Sequence, residues 1–525
     1  MKKFNKVVII GGGVAGLSAG IYARIAGLEA EIYEKNSIPG GECIGWNRGG
    51  YHIDNCIHWL TGTRKGTELY DVWKTVGGLS DDTQYADLDS FYTSCVDGQR
   101  ATLYKDLERT RSELTAISPE DKEEIDKFIQ YVEDSKSCLM PADKPMDMFT
   151  VGDYIRLGKS MGEFMNVMKE LSKVSIEEYS RRFKSPVLRQ LMCDYLPKDY
   201  TAYSLLVSYA SIADENGNIP MGGSLQLSLR MEKRFKELGG KIFYNSAVKE
   251  IVVKNKKAQS MILENGTVVT GDYFIATLDT SFLFGKLLDE SYMPKAFKKA
   301  YEEPSKYPGT SGFQVAFSVN KDFNPGETVF INIDPIKVGA NTFSRMYVKV
   351  YGYDKTFVKG DRQVLQSNFC QQDDDYFAWK AMSPAEYKET KERLARAVKE
   401  RIESFFPEVK GDLEILDTWS PLTYERYCNA YHGSYMSFVT TPYGPQVREK
   451  GTVKGIKNLC FAGQWNSSPG GLPVAVTNGK FAIQRICHKK SLSLGGEYDE
   501  RRTEGRAKTG NTYDGLEAVR GKRVS

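Results

Sequence analysis

Val7-Val8-Ile9-Ile10-Gly11-Gly12-Gly13-Val14-Ala15-Gly16 joins four β-branched residues to the glycine pattern G-x-G-x-x-G, carried by Gly11, Gly13 and Gly16. The β-branched run reads as a strand of a parallel sheet, covered on both faces. A helix follows at once, from Leu17 to Ala26. Strand, glycine turn and helix in this order make a dinucleotide site. Gly11 permits the tight turn, Gly13 lets backbone approach a pyrophosphate, and Gly16 lets the helix pack closely on the sheet. The free N–H groups of Val14 and Ala15 at the helix start, together with the helix dipole, favour the negative charge of the phosphates. A second strand, Ala30-Glu31-Ile32-Tyr33, ends on Glu34, with Lys35 beside it. Glu34 stands where an acid binds ribose hydroxyls. An acid there repels a 2′-phosphate, which argues against NADP.

The chain of 525 residues has room for two or more domains. Its net charge of +3 gives no case for nucleic acid. The nine cysteines (Cys43, Cys56, Cys95, Cys138, Cys193, Cys370, Cys428, Cys460 and Cys487) include no C-x-x-C pair and no zinc spacing. Neither a metal site nor a disulfide framework is expected. Met1-Lys2-Lys3-Phe4 leads straight into the first strand without a signal peptide, and no run of eighteen apolar residues occurs. The expectation is a cytoplasmic protein, with peripheral membrane contact left open.

After Glu34 come Pro39-Gly40-Gly41-Glu42-Cys43 and then Gly50-Tyr51-His52-Ile53-Asp54. Near the other end, Asn458-Leu459-Cys460-Phe461-Ala462-Gly463-Gln464-Trp465 reads as a buried strand and glycine turn, and Pro469-Gly470-Gly471-Leu472-Pro473 opens a helix from Val474 to Cys487. This order resembles the FAD-dependent phytoene desaturase, carotenoid isomerase and retinol saturase family, itself similar to the flavin amine oxidases. The resemblance implies an α/β fold with FAD as cofactor. A discontinuous Rossmann-like FAD domain is expected from residues 1–90, 205–290 and 415–490. A substrate domain, an antiparallel sheet with a helical lid, is expected from 91–204 and 291–414. The resemblance also implies flavin contacts at Gly41 and Glu42, an adenine contact at the backbone of Val248, and contacts at Gly463, Gln464, Gly471, Leu472 and Pro473. Many relatives carry a basic residue near the flavin where this chain has Glu42.

Between these ends, residues 105–135 read as helix, with a good start at Ser118-Pro119. Residues 151–192 read as further helix, with Met161, Phe164, Met165, Met168 and Leu171 on one face. That face suits core packing, a lid over an apolar substrate, or a basic helix resting on a membrane. Residues 310–375 alternate as antiparallel strands, and a helix starts after Ser383-Pro384. Residues 491–525 are polar and of mixed charge, which predicts a disordered tail.

A single nucleotide fingerprint and the lack of a redox cysteine pair argue against a disulfide reductase of the two-dinucleotide type. Hydride exchange with a flavin needs little acid–base help, which suits a chain with four histidines. His58 is expected near the flavin, and Glu42, if buried, as a proton donor. Trp46, Tyr424, Tyr431 and Tyr435 are expected on the walls of an apolar pocket. The leading expectation is an FAD oxidoreductase that desaturates, saturates or isomerises carbon–carbon double bonds of an apolar polyene or lipid-like substrate. The alternatives are a flavin amine oxidase and a non-enzymatic prenyl-binding protein of the GDP-dissociation-inhibitor type. The intact glycines, Glu34 and the C-terminal turn count against the last of these.

Overall fold

The computed structural model describes residues 5–490 except Lys359 and Asp361. The tail expected at 491–525 lies outside the described residues. Strand Lys6–Ile10 is the centre of a five-stranded parallel sheet. Glu29–Tyr33 and Tyr273–Ala276 flank it, and Lys241–Phe243 and Leu459–Phe461 form the edges. The sheet therefore gathers strands from three distant parts of the chain. Val7 and Ile9 pack under the helices on one face, while Val8 and Ile10 pack under a three-stranded antiparallel sheet on the other. Burial on both sides is why the run shows no polar alternation.

The fingerprint helix, Val14–Ile25, packs against the last helix, Gly471–Lys490, and against Gly223–Glu237. The contact with the last helix is backbone to backbone. A Cβ at Gly479 would lie 2.4 Å from the Ala15 carbonyl oxygen. The two ends of the chain are thus closed on each other at the dinucleotide turn.

The second sheet has seven strands, in the order Leu413–Trp419, Ser311–Val319, Gln363–Gln371, Asn341–Val350, Thr328–Val338, Ser90–Val96 and Gln99–Tyr104. It is larger than the 310–375 pattern predicts. Ser90–Val96 escaped that reading because most of its residues are buried irrespective of side. The boundary expected at residue 415 falls inside a strand of this sheet.

The helical segment is also more broken than expected. Leu107–Ile117 and Lys122–Ser135 are separated at Ser118, and residues 151–194 form four helices, Val151–Ser160, Gly162–Leu171, Ile176–Ser180 and Pro186–Asp194. Met161 ends one of these and begins the next, so no single stripe runs through both. Phe164 and Leu171 enter the core, but Met165 points outward. It follows Phe164 directly, and successive helical residues diverge by about 100°.

Candidate active site

A cavity of about 1660 Å³ runs from the Gly11–Ala15 turn to the helices at 151–171. One drug-sized ligand occupies a pocket of about 300–1,000 Å³, so this space holds more than one such molecule. Gly11, Gly13, Val14, Ala15, Glu34, Lys35, Gly41 and Val248 border one end. Gly13 caps the fingerprint helix without a side-chain bond, leaving first-turn N–H groups toward the cavity. Glu34 is fixed at both oxygens: Gly12 N–H donates to Oε2 and Asn36 N–H to Oε1, each at 2.7 Å. Gly40 N–H donates to the Gly12 carbonyl at 3.0 Å, so the second glycine pair lies against the first turn. Gly41 has φ +62° there, and a Cβ on it would sit 3.4 Å from Gly13 Cα. The Lys35 ammonium is committed to Asn429 Oδ1 and the Arg426 carbonyl, at 2.8 and 2.9 Å, and burial lowers its pKa. Gly16 is outside the lining and serves packing.

An anchored carboxylate, a helix start open to anions and paired glycine backbones fit the FAD that the sequence implies. Glu34→Ala is expected to weaken FAD binding about 10- to 150-fold, the equivalent of about 1.5–3 kcal/mol for a hydrogen bond to a charged group. Titration of folded apoprotein with FAD measures this, and unchanged affinity would remove Glu34 from the ribose role.

Farther in, Gln464 ties the two ends of the chain together. Its Nε2 donates to Glu42 Oε2 at 2.8 Å and to the Tyr435 carbonyl at 3.2 Å, while its Oε1 accepts from Gly471 N–H at 3.1 Å. Gly463, Gly471, Leu472 and Pro473 border the cavity here, at the start of the last helix. Burial pushes the Glu42 carboxyl well above the usual range, the buried Asp279 adds to this, and the Gln464 bond opposes it. Asp279, itself raised by burial, accepts from Tyr431 N–H at 2.8 Å.

His58 borders the cavity, with its Nδ1 3.2 Å from the Tyr347 hydroxyl. Burial, helped by the nearby Lys349 ammonium, lowers its pKa to about 3. The ring is therefore neutral throughout the physiological range. In the unfolded chain it takes up a proton below about pH 6.5, so folding stability contributed by His58 is complete above that pH and is lost toward pH 3. Over that window the loss approaches about 1.4 kcal/mol per pH unit. Urea denaturation at pH 7 and pH 5 is expected to show a smaller acid loss for His58→Gln than for the parent chain. Equal losses would contradict the assignment.

Three of the four expected wall aromatics lie elsewhere. Trp46 Nε1 donates to Asp417 Oδ2 at 2.9 Å and its ring meets Trp419 edge-on, so it packs on the second sheet. Tyr424 sits one layer behind the wall. Its hydroxyl donates to Asn55 Oδ1 at 2.9 Å and accepts from Gln314 and Trp419, which makes it a support for Asn55. Tyr431 stacks on His432, away from the cavity. Only Tyr435 borders it.

Other groups went unread in the sequence. Arg181, Arg189, Arg345 and Arg448 border the cavity, and the Arg345 guanidinium is held by both oxygens of Asp194.

The model for "Flavin containing amine oxidoreductase" matches residues 14–487. A chloroplastic prolycopene isomerase from Daucus carota is 23% identical over 489 residues, 86% of this chain and 74% of that one. A lycopene-forming phytoene desaturase from Pseudescherichia vulneris is 25% identical over 325 residues, 60% of this chain and 64% of that one, just under two thirds of its length. Among solved structures, an oxidoreductase from Methanosarcina mazei superposes with TM-score 0.57 at 16% identity, covering 91% of this chain and all of the other. A putrescine oxidase variant gives 0.57 at 16% identity, with 92% and 99% covered. These superpositions establish the shared fold.

Proposed function

The chain belongs to the flavin-containing amine oxidoreductase family and is an FAD-dependent oxidoreductase, and from that premise we propose that it desaturates, saturates or isomerises carbon–carbon double bonds of a long apolar substrate. One observation carries this reading: beyond Glu42 and His58 the cavity continues along Met161, Phe164, Met168, Tyr195 and Phe330. Such a wall binds by burying area, at roughly 25 cal/mol per Å², which favours a long hydrocarbon over a small polar amine. The carotenoid names of the two relatives point the same way. When bound, FAD supplies hydride exchange with a carbon centre. The chain's own part is to hold substrate against the ring within about 3–3.5 Å, to hold the buried Glu42 on the Gln464 bridge, and to keep His58 neutral.

The substrate enters from a membrane surface between Val151–Ser160 and Gly162–Leu171. Leu157, Met161, Phe164 and Met168 on these helices border the cavity. Val151, Tyr154, Ile155 and Met165 on the same two helices are exposed by 77%, 51%, 54% and 52%. Among the described residues no helix is long and apolar enough to cross a membrane, so contact would be at the interface.

The test offers oxidised and photoreduced holoprotein a set of polyenes, long-chain lipids, aliphatic amines and hydroxy acids while flavin absorbance is followed. A polyene or lipid is expected to perturb at least one spectrum. Bleaching by an amine alone, with no response to any apolar compound, would replace this reading with an amine oxidase.

A further inference from the structure

In the second sheet Gly312 pairs with Cys370 and Gln314 with Asn368. Alternate residues of a strand share a face, so these four look to one side, and Gln314, Asn368 and Cys370 border the cavity. A Cβ at Gly312 would lie 2.5 Å from Asn368 Oδ1 and 3.4 Å from Tyr435 Cε1, so Asn368 and Tyr435 meet over this glycine. Asn368 Oδ1 is buried there and, among the described residues, has no hydrogen-bond partner. With the oxygen sealed against Gly312, the amide atom left for the cavity is Nδ2, a donor. Gln314, across the strand pair, turns its own Nε2 to the Tyr424 hydroxyl at 2.8 Å.

The wall stays polar on both sides of Asn368. Tyr435 N–H donates to the Thr310 carbonyl at 3.0 Å and Val439 N–H to the Pro308 carbonyl at 3.2 Å, which lays residues 435–440 beside the start of the strand. The hydroxyls of Tyr200 and Thr310 satisfy each other at 2.7 Å. Thr440 borders the cavity at 7% exposure, and its Oγ1 has no partner among the described residues. At the other end the Tyr435 carbonyl shares Gln464 Nε2 with Glu42. The polar strip therefore begins at the Glu42–Gln464 bridge.

We propose that Asn368 is a specificity residue that donates from Nδ2 to an oxygen atom of the substrate, a hydroxyl or a carbonyl, so that the substrate is an oxygenated long-chain lipid or polyene and not a plain hydrocarbon. This rests on the reading of a long apolar substrate held against the flavin and adds one polar group to it. The methionine and phenylalanine stretch binds by buried area and does not fix where along a uniform chain the substrate stops. A hydrocarbon that covers Asn368 strips water from the amide and leaves it unpaired, whereas an oxygen in the same place pairs it. A site built to hydrogen-bond such a group rejects the analogue that lacks it. Because the strip begins at Gln464, the double bond set against the ring lies near the oxygen-bearing end.

The experiment compares three tritiated C20 isoprenoids of one skeleton: geranylgeraniol, geranylgeranial and the hydrocarbon with hydrogen in place of the oxygen. Each is partitioned between nonionic micelles and parent holoprotein, with the flavin difference spectrum followed. The alcohol, the aldehyde or both are expected to bind about 10-fold or more tightly than the hydrocarbon, and the two arms tell a hydroxyl from a carbonyl. In Asn368→Leu the preference is expected to fall to about one, with the FAD content of the parent. Gly312→Ala keeps the amide but crowds its oxygen, and is expected to lose the preference as well. Equal binding of all three compounds to the parent, as for a wall that water alone satisfies, would overturn the proposal. So would a preference that survives both substitutions. If none of the three binds, the long apolar substrate itself is wrong and this inference falls with it, an outcome distinct from equal binding.

Discussion

Gly16→Val is expected to leave a chain that binds FAD at least about 100-fold more weakly, with lower stability besides. A Cβ at position 16 would sit 2.0 Å from the Gly11 carbonyl oxygen and 3.0 Å from Thr277 Oγ1. The first of these is a backbone atom of the strand-to-helix turn, and it is not free to swing aside. Thr277 Oγ1 also bonds the carbonyls of Ile10 and Gly11, at 2.9 and 3.1 Å, fixing the turn from behind. The helix cannot slide outward either, because the last helix meets it backbone to backbone at Gly479 and Ala15. Overpacking of this kind costs about 1–3 kcal/mol or more, equivalent to about 5- to 150-fold or more. Displacing the first-turn N–H groups from the phosphates adds to it. FAD titration of the apoprotein, with circular dichroism to establish folding, measures both effects. Gly13→Ala is the informative partner, since a Cβ there meets the Gly40 carbonyl at an ordinary 3.6 Å. It should keep the fold while crowding the phosphate approach. Parent-like affinity in Gly16→Val would show that the turn is softer than its contacts imply.

The dinucleotide end was legible because its chemistry is written in backbone-dictated positions. Gly11, Gly13, Gly16 and Glu34 occur where a tight turn, a close approach and a strand end require them, and neighbouring sequence alone fixes those places. The substrate end was not, because it depends on which way a side chain leaves its element. Trp46, Tyr424 and Tyr431 belong to an aromatic-rich chain, and composition cannot tell a cavity wall from the layer behind it. Tyr424 illustrates this: it does not border the cavity itself, but its hydroxyl is held by three polar partners, of which Asn55 and Gln314 do.

Val151→Ser combined with Ile155→Glu is expected to abolish binding to lipid vesicles while leaving FAD affinity unchanged. Fully burying an aliphatic side chain of this size contributes about 1.5–3 kcal/mol, so losing two exposed ones removes roughly 3 kcal/mol or more of interfacial binding, a drop of about 100-fold or greater. Arg156 and Lys159 stand on the same helix, and each basic residue near an anionic surface adds about 1 kcal/mol. Binding of the parent chain should therefore be stronger to vesicles containing phosphatidylserine than to phosphatidylcholine alone, and should weaken with salt. The variant keeps its helix. Thr150 caps it through a reciprocal pair with Asp153, which neither substitution touches, and Ile155→Glu sets a carboxylate four residues before Lys159, a favourable spacing. The cavity is spared as well, because Leu157 and Met161, which border it, are unchanged. Vesicle sedimentation of parent and variant holoprotein, with flavin absorbance as the count of loaded protein, reads both quantities at once. If the variant sediments as well as the parent, the outer face of these helices does not meet the membrane, and they act as a lid that opens to water.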